Sequence, residues 1–72
     1  MRIFPNPSTD IIHIKASKSI YSIQIFSSLG TMIYEGKPID NKIDIHHLDD
    51  GFHFLKVNFE DGSSGIERFL KF

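Results

Sequence analysis

Apolar residues recur at every second position through most of the chain. Ile12 and Ile14 fall on one side of an extended segment, with His13 on the other. Tyr21, Ile23 and Ile25 share a side against Ser22 and Gln24, and Ile43 and Ile45 flank Asp44 in the same way. The longest run, Phe52 to Phe59, groups His53, Leu55, Val57 and Phe59 and sends Phe52, Phe54, Lys56 and Asn58 to the opposite face. Successive side chains of a strand point to opposite faces of a sheet. Period-two alternation rich in β-branched and aromatic residues therefore predicts half-buried strands. No apolar series keeps the i, i+3, i+4, i+7 spacing of a helical face, so no helix is predicted.

The breaks fall where strands must reverse. Ser27-Ser28-Leu29-Gly30 separates the Ile23 strand from Met32-Ile33-Tyr34, and Gly30 can take the positive φ of a tight hairpin. Lys37-Pro38 ends that next strand, Asp49-Asp50-Gly51 precedes the Phe52 strand, and Asp61 to Gly65 turns it back into a last strand over Ile66 to Phe72. Six strands follow, or seven if Met1 to Phe4 also pairs. Turns about every ten residues suit a small antiparallel sandwich or barrel. One flat sheet would leave the Ile and Phe side chains in water, whereas two sheets packed face to face hide them. The expected fold is an all-β, immunoglobulin-like β-sandwich. The last strand is apolar on both faces. Ile66, Leu70 and Phe72 lie with Arg68, and Phe69 lies opposite with Glu67 and Lys71. Such a strand is either central or covered by something else.

Composition narrows the function classes. The chain has 72 residues, enough for one domain over 1–72 and no second. A domain this small buries only about 60% of the surface its unfolded chain exposes. It has no Cys, so neither a disulfide nor a thiolate metal site is available. Histidines and carboxylates keep a metal within reach of the composition. The net charge of -1 removes the basic footprint expected for nucleic acid or anionic lipid. Met1 to Phe4 runs straight into Pro5-Asn6-Pro7, so a signal peptide's apolar stretch is absent. The chain then reads either as cytoplasmic or as a domain of a longer exported protein.

Four ordered blocks give a family resemblance. They are Phe4-Pro5-Asn6-Pro7-Ser8-Thr9-Asp10; Ile23 to Gly30; Ile43 to Gly51 with Leu48 between; and Phe52 to Val57 followed by Arg68-Phe69-Leu70-Lys71-Phe72. Together they resemble the type A C-terminal sorting domain of type IX secretion substrates, found on exported proteins of the Bacteroidetes. His53 stands where that family usually has Tyr, and Ser27 where it has Asp. The resemblance implies a secretion address that directs a cargo across the outer membrane. The implied partners are an outer-membrane translocon, a β-barrel shuttle protein and a cell-surface peptidase. That peptidase removes the domain and links the cargo to anionic lipopolysaccharide, or the cargo is released. The implied route runs through the periplasm to the cell surface or the medium.

The residues of those blocks have a structural and a functional reading each. Pro5-Asn6-Pro7 is a rigid start to the first long strand or a recognition element. Gly30 and Gly51 sit at turns, and Leu48 plugs one end of the core. Phe69, Leu70, Lys71 and Phe72 are either packed core or an address that adds to the edge of a partner sheet, with Lys71 and Phe72 exposed. A homodimer through strand edges is compatible with the pattern. His46 and His47 are adjacent and in an extended segment would point to opposite sides, so they are not expected to chelate one ion. No nucleophile, base and oxyanion arrangement can be placed, so no catalytic residue and no cofactor is expected and the domain reads as non-enzymatic. The alternative function is an immunoglobulin-like adhesion or carbohydrate-binding module, with Phe52, Phe54 and Tyr34 as an aromatic platform.

Overall fold

The computed structural model describes all 72 residues and contains seven strands and no helix. They are β1 (Arg2–Phe4), β2 (Ile11–Lys15), β3 (Ile20–Ser27), β4 (Met32–Gly36), β5 (Lys42–Asp44), β6 (Gly51–Phe59) and β7 (Ser64–Lys71). They form two antiparallel sheets, a three-stranded one in the order β1-β2-β5 and a four-stranded one in the order β4-β3-β6-β7. The radius of gyration is 11.1 Å, close to the roughly 11 Å of a compact chain of this length. The shortest dimension, 16 Å, fits two sheets stacked face to face.

The alternation places the core as expected. Ile3, Ile12, Ile14 and Ile43 of the small sheet face Ile23, Ile25, Leu55, Val57 and Phe69 of the large one, with Ile20, Ile45 and Leu48 completing the cluster. Cross-strand partners stack along the inner faces: Ile3 with Ile14, Ile12 with Ile43, Ile23 with Val57, and Ile25 with Leu55. Leu48 is 9% exposed at one end of the core, where the sequence placed it. Gly30, at φ +87°, closes the β3–β4 hairpin and donates its amide to Ser27 O at 2.9 Å.

One face assignment is corrected. Tyr21 does not share the inner face with Ile23 and Ile25; it is 66% exposed, and Ile20 is buried in its place. The register between β3 and β6 shifts between Ile20 and Ser22. The bulge leaves two residues of β3 opposite one of β6, so the alternation slips by one and Tyr21 is sent to solvent. The last strand also starts two residues earlier than the apolar pattern suggested, at Ser64.

Asp61 fixes the β6–β7 turn. Its carboxylate accepts from the hydroxyl and the backbone amide of Ser63 and pairs with Lys18 Nζ at 3.0 Å. Those donors, the Ser63 hydroxyl first, lower its pKa from 3.8 to about 2. A depressed folded-state pKa gives a stabilising contribution that is complete above the unfolded value. It is lost as the pH falls from about 4 toward about 2. In acid titration of stability, Asp61→Asn should flatten the pH dependence within that window. The bulge makes a second prediction. Ile23→Ala should lose about 2–5 kcal/mol in urea unfolding, whereas Tyr21→Ser should change stability by less than about 0.5 kcal/mol.

Candidate functional site

The segment after β1 crosses from the small sheet to the outer edge of β7. Pro5 and Pro7 have no amide hydrogen, so this stretch cannot form an ordinary ladder. Both prolines follow cis peptide bonds. The side chain of Asn6 supplies the missing groups. Its Nδ2 donates to Arg68 O at 3.0 Å and its Oδ1 accepts from Leu70 N at 3.0 Å. A carboxamide carries a donor and an acceptor side by side, as a peptide group does. Ser8 continues the pairing through its main chain. Its amide donates to Leu70 O at 2.9 Å, and its carbonyl accepts from Phe72 N at 3.0 Å. Ser8 is 2% exposed, and its hydroxyl is used internally, donating to Ile11 O at 2.9 Å. Asp10 O then accepts from Ile45 N at 2.7 Å, tying the same segment to the end of β5.

The clamp occupies only part of the edge. β7 is an outer strand, and its outward-directed groups alternate along the chain. Asn6 and Ser8 take Arg68 O, both groups of Leu70 and Phe72 N. Beyond Asn6, Arg68 N and both groups of Ile66 remain open. The outer face of this strand carries Ile66, Arg68, half-buried Leu70 and Phe72; the Arg68 guanidinium lies 4.5 Å from the Phe52 ring centroid.

Two residues of the expected address are not exposed. Phe69 is fully buried and stacks on His53, with ring centroids 5.5 Å apart. The earlier alternative of a partner-facing Phe69 side chain is therefore corrected in favour of core. Lys71, expected in solvent, is 6% exposed. Alternation puts it on the inner face with Phe69, at the open end of the sandwich. There its Nζ donates to Phe72 O at 2.7 Å and lies 3.7 Å from Asp50 Oδ1. A long aliphatic stem can be covered while the amine finds partners at the rim. Gly51 pairs with Lys71 across the β6–β7 ladder at φ +120°. Pro5, Asn6, Pro7, Gly51 and residues 69–72 are thus brought together around one strand. Gly30 stands apart in its own hairpin, and Leu48 serves the core.

The buried His53 is a packed ring, as its position in the inward pattern suggested. Asp49 O can only accept, so Nε2, 2.8 Å away, carries the hydrogen; Nδ1 is buried without a partner. The proposed aromatic platform does not form. Phe52 and Phe54 lie on the outer face of the large sheet, whereas Tyr34 pairs with the inward-facing Ile25 and shares its side. Tyr34 instead lines a cleft of about 410 Å³ between β4 and β5, with Ile23, Ile43, Lys42 and His47.

The reading of His46 and His47 is also corrected. They occupy a turn after β5, not an extended segment, and with Asp44 their ligand atoms all lie within 4.8 Å of one another. The Asp44 carboxylate accepts from the side chain and the backbone amide of His46, which hold its pKa below the usual carboxylate range.

One comparison with known protein families finds a match. The model of the secretion system C-terminal sorting domain family matches residues 2–71. The chain belongs to that family. It is a type IX sorting domain, and that membership indicates a C-terminal sorting signal on an exported protein. No curated protein and no solved structure matches it significantly. In this sorting domain, the first and last of the four sequence blocks are hydrogen-bonded partners. Sequence reasoning missed that contact, and the available clue was an amide side chain set between two residues that cannot donate. Asn6→Ala removes two hydrogen bonds, each contributing about 0.5–1.5 kcal/mol. It should lower stability by about 1–3 kcal/mol in urea unfolding and speed hydrogen exchange at the Leu70 amide before that of the buried β6 amides.

Proposed function

We propose that this domain is the detachable secretion address of a cargo protein and has no enzymatic activity of its own. On this reading the outer-membrane translocon and a β-barrel shuttle protein recognise it. A cell-surface peptidase then removes it, and the cargo is anchored to lipopolysaccharide or released. The route passes through the periplasm to the cell surface or the medium. The observation that carries the reading is the family match over residues 2–71. The physical form of β7 supports it. An edge strand with open main-chain groups at Ile66 and Arg68, and an apolar outer face, suits recognition by strand addition.

A secretion assay tests this. Residues 4–72 are fused behind a reporter carrying an export signal for the inner membrane, in a bacterium with a type IX system. The fusion should reach the surface, and one lacking residues 65–72 should stay in the periplasm. Because Phe69 belongs to the core, that deletion also unfolds the domain. A second variant, Ile66→Asp with Phe72→Ser, alters only exposed side chains. It should keep the β-type circular dichroism and lower surface display several-fold. Equal display from the deleted and complete fusions would refute the address.

A further inference from the structure

We propose that Asp44, His46 and His47 form a surface site for a borderline divalent cation of the zinc, nickel or copper class. This goes beyond the sorting role and does not depend on it. The three side chains offer two imidazole nitrogens and one carboxylate oxygen, all within 4.8 Å of one another. A tetrahedral zinc ion with bonds near 2.0–2.1 Å needs its donors about 3.3 Å apart. All three side chains are exposed, so small rotations about their χ angles close that difference without moving the core.

The backbone beneath them is held. Ile45, fully buried, precedes the histidine pair, and Leu48, 9% exposed, follows it. Ile45 N donates to Asp10 O at 2.7 Å, and Leu48 N donates to Ile45 O at 3.0 Å, closing the turn. Anchored on both sides, the turn presents adjacent imidazoles to the same side as Asp44. Their ring centroids are 5.5 Å apart. The Tyr34 and His47 rings meet in a T-shaped arrangement with their centroids 6.1 Å apart.

The donor set selects the ion. Imidazole with a single carboxylate suits zinc, nickel or copper, whereas calcium and magnesium need more oxygen ligands. His46 Nδ1 is hydrogen-bonded to Asp44 Oδ1; a cation bound to Nδ1 replaces the hydrogen between them, which passes to Nε2 or to water. Lys37 and Lys42 line the adjoining cleft and oppose a cation there, while Asp40 in the same lining favours one. With three protein ligands, the remaining coordination positions stay with water.

Calorimetric titration of the intact 72-residue chain with zinc chloride, followed in parallel by amide NMR shifts, tests the site. One zinc per chain should bind, with shifts confined to residues 44–48 and Tyr34. Asp44→Asn should weaken binding at least about tenfold. The His46→Gln, His47→Gln double variant should abolish it while keeping the metal-free thermal midpoint. Millimolar magnesium or calcium should not compete. Absence of saturable binding below millimolar zinc would overturn the proposal. So would binding unchanged in the double variant, which would move the ion to His13 or the amino terminus. A zinc-dependent dimer that shares one ion between two chains would overturn a site complete within one chain.

Discussion

Main-chain hydrogen bonds tie the small sheet's β1–β2 connection to the large sheet at one place, the pair between Ser8 and the end of β7. Every other ladder runs within a sheet. The chain has no cysteine, so no disulfide supplements that junction. Just before it, Pro5 and Pro7 have no amide hydrogen to donate, and the Asn6 carboxamide pairs with Arg68 O and Leu70 N instead. β7 is consequently bonded along both edges over its last residues, by β6 on one side and by residues 6–8 on the other. Phe69, fully buried between the sheets, anchors the same strand through its side chain. The N-terminal segment thus does for the C-terminal strand what a further strand would do for an edge.

This arrangement decides what a partner can read on the folded domain. Phe69 and Lys71 face inward, so their side chains are hidden while β7 stays in the sheet. Ile66, Arg68, Leu70 and Phe72 face outward, and the open main-chain groups lie at Ile66 and Arg68 N. A reader of the folded form therefore meets an apolar and cationic face beside a short stretch of free edge. A reader of an extended peptide would meet all of residues 69–72, at the cost of removing Phe69 from the core, about 3 kcal/mol or more by analogy with truncating it. The proposed address has these two physical forms, and they differ in exactly which side chains are available.

Strand positions and the inner faces were legible because burial of alternate side chains leaves a period of two in the sequence. Ile12, Ile14, Ile43, Ile45, Leu55 and Val57 all follow that rule. Tyr21 does not, because a bulge is an insertion in backbone pairing and leaves an ordinary apolar residue in the sequence. Lys71 was misplaced because lysine defaults to solvent, yet the alternation it shares with Phe69 was the better guide. The proximity of His46 and His47 to Asp44 depended on a turn where the pattern suggested a strand. The pairing of Asn6 with Arg68 and Leu70 joins positions 62 and 64 residues apart. Nothing in local periodicity reports a contact over that distance.

Exposure of the hydrogen bonds to water distinguishes the parts of the structure in another way. The β6–β7 hairpin closes through a short turn set by Asp61, and β3 pairs with β6 along most of its length. The Asn6 bonds of the clamp, by contrast, are exposed to competing water. The clamp's four hydrogen bonds contribute together about 2–6 kcal/mol. Release of residues 5–8 would expose the outer edge of β7 while Phe69 remains packed. Strand addition that extends past the already open groups of Ile66 and Arg68 N would need this release, without removal of Phe69 from the core.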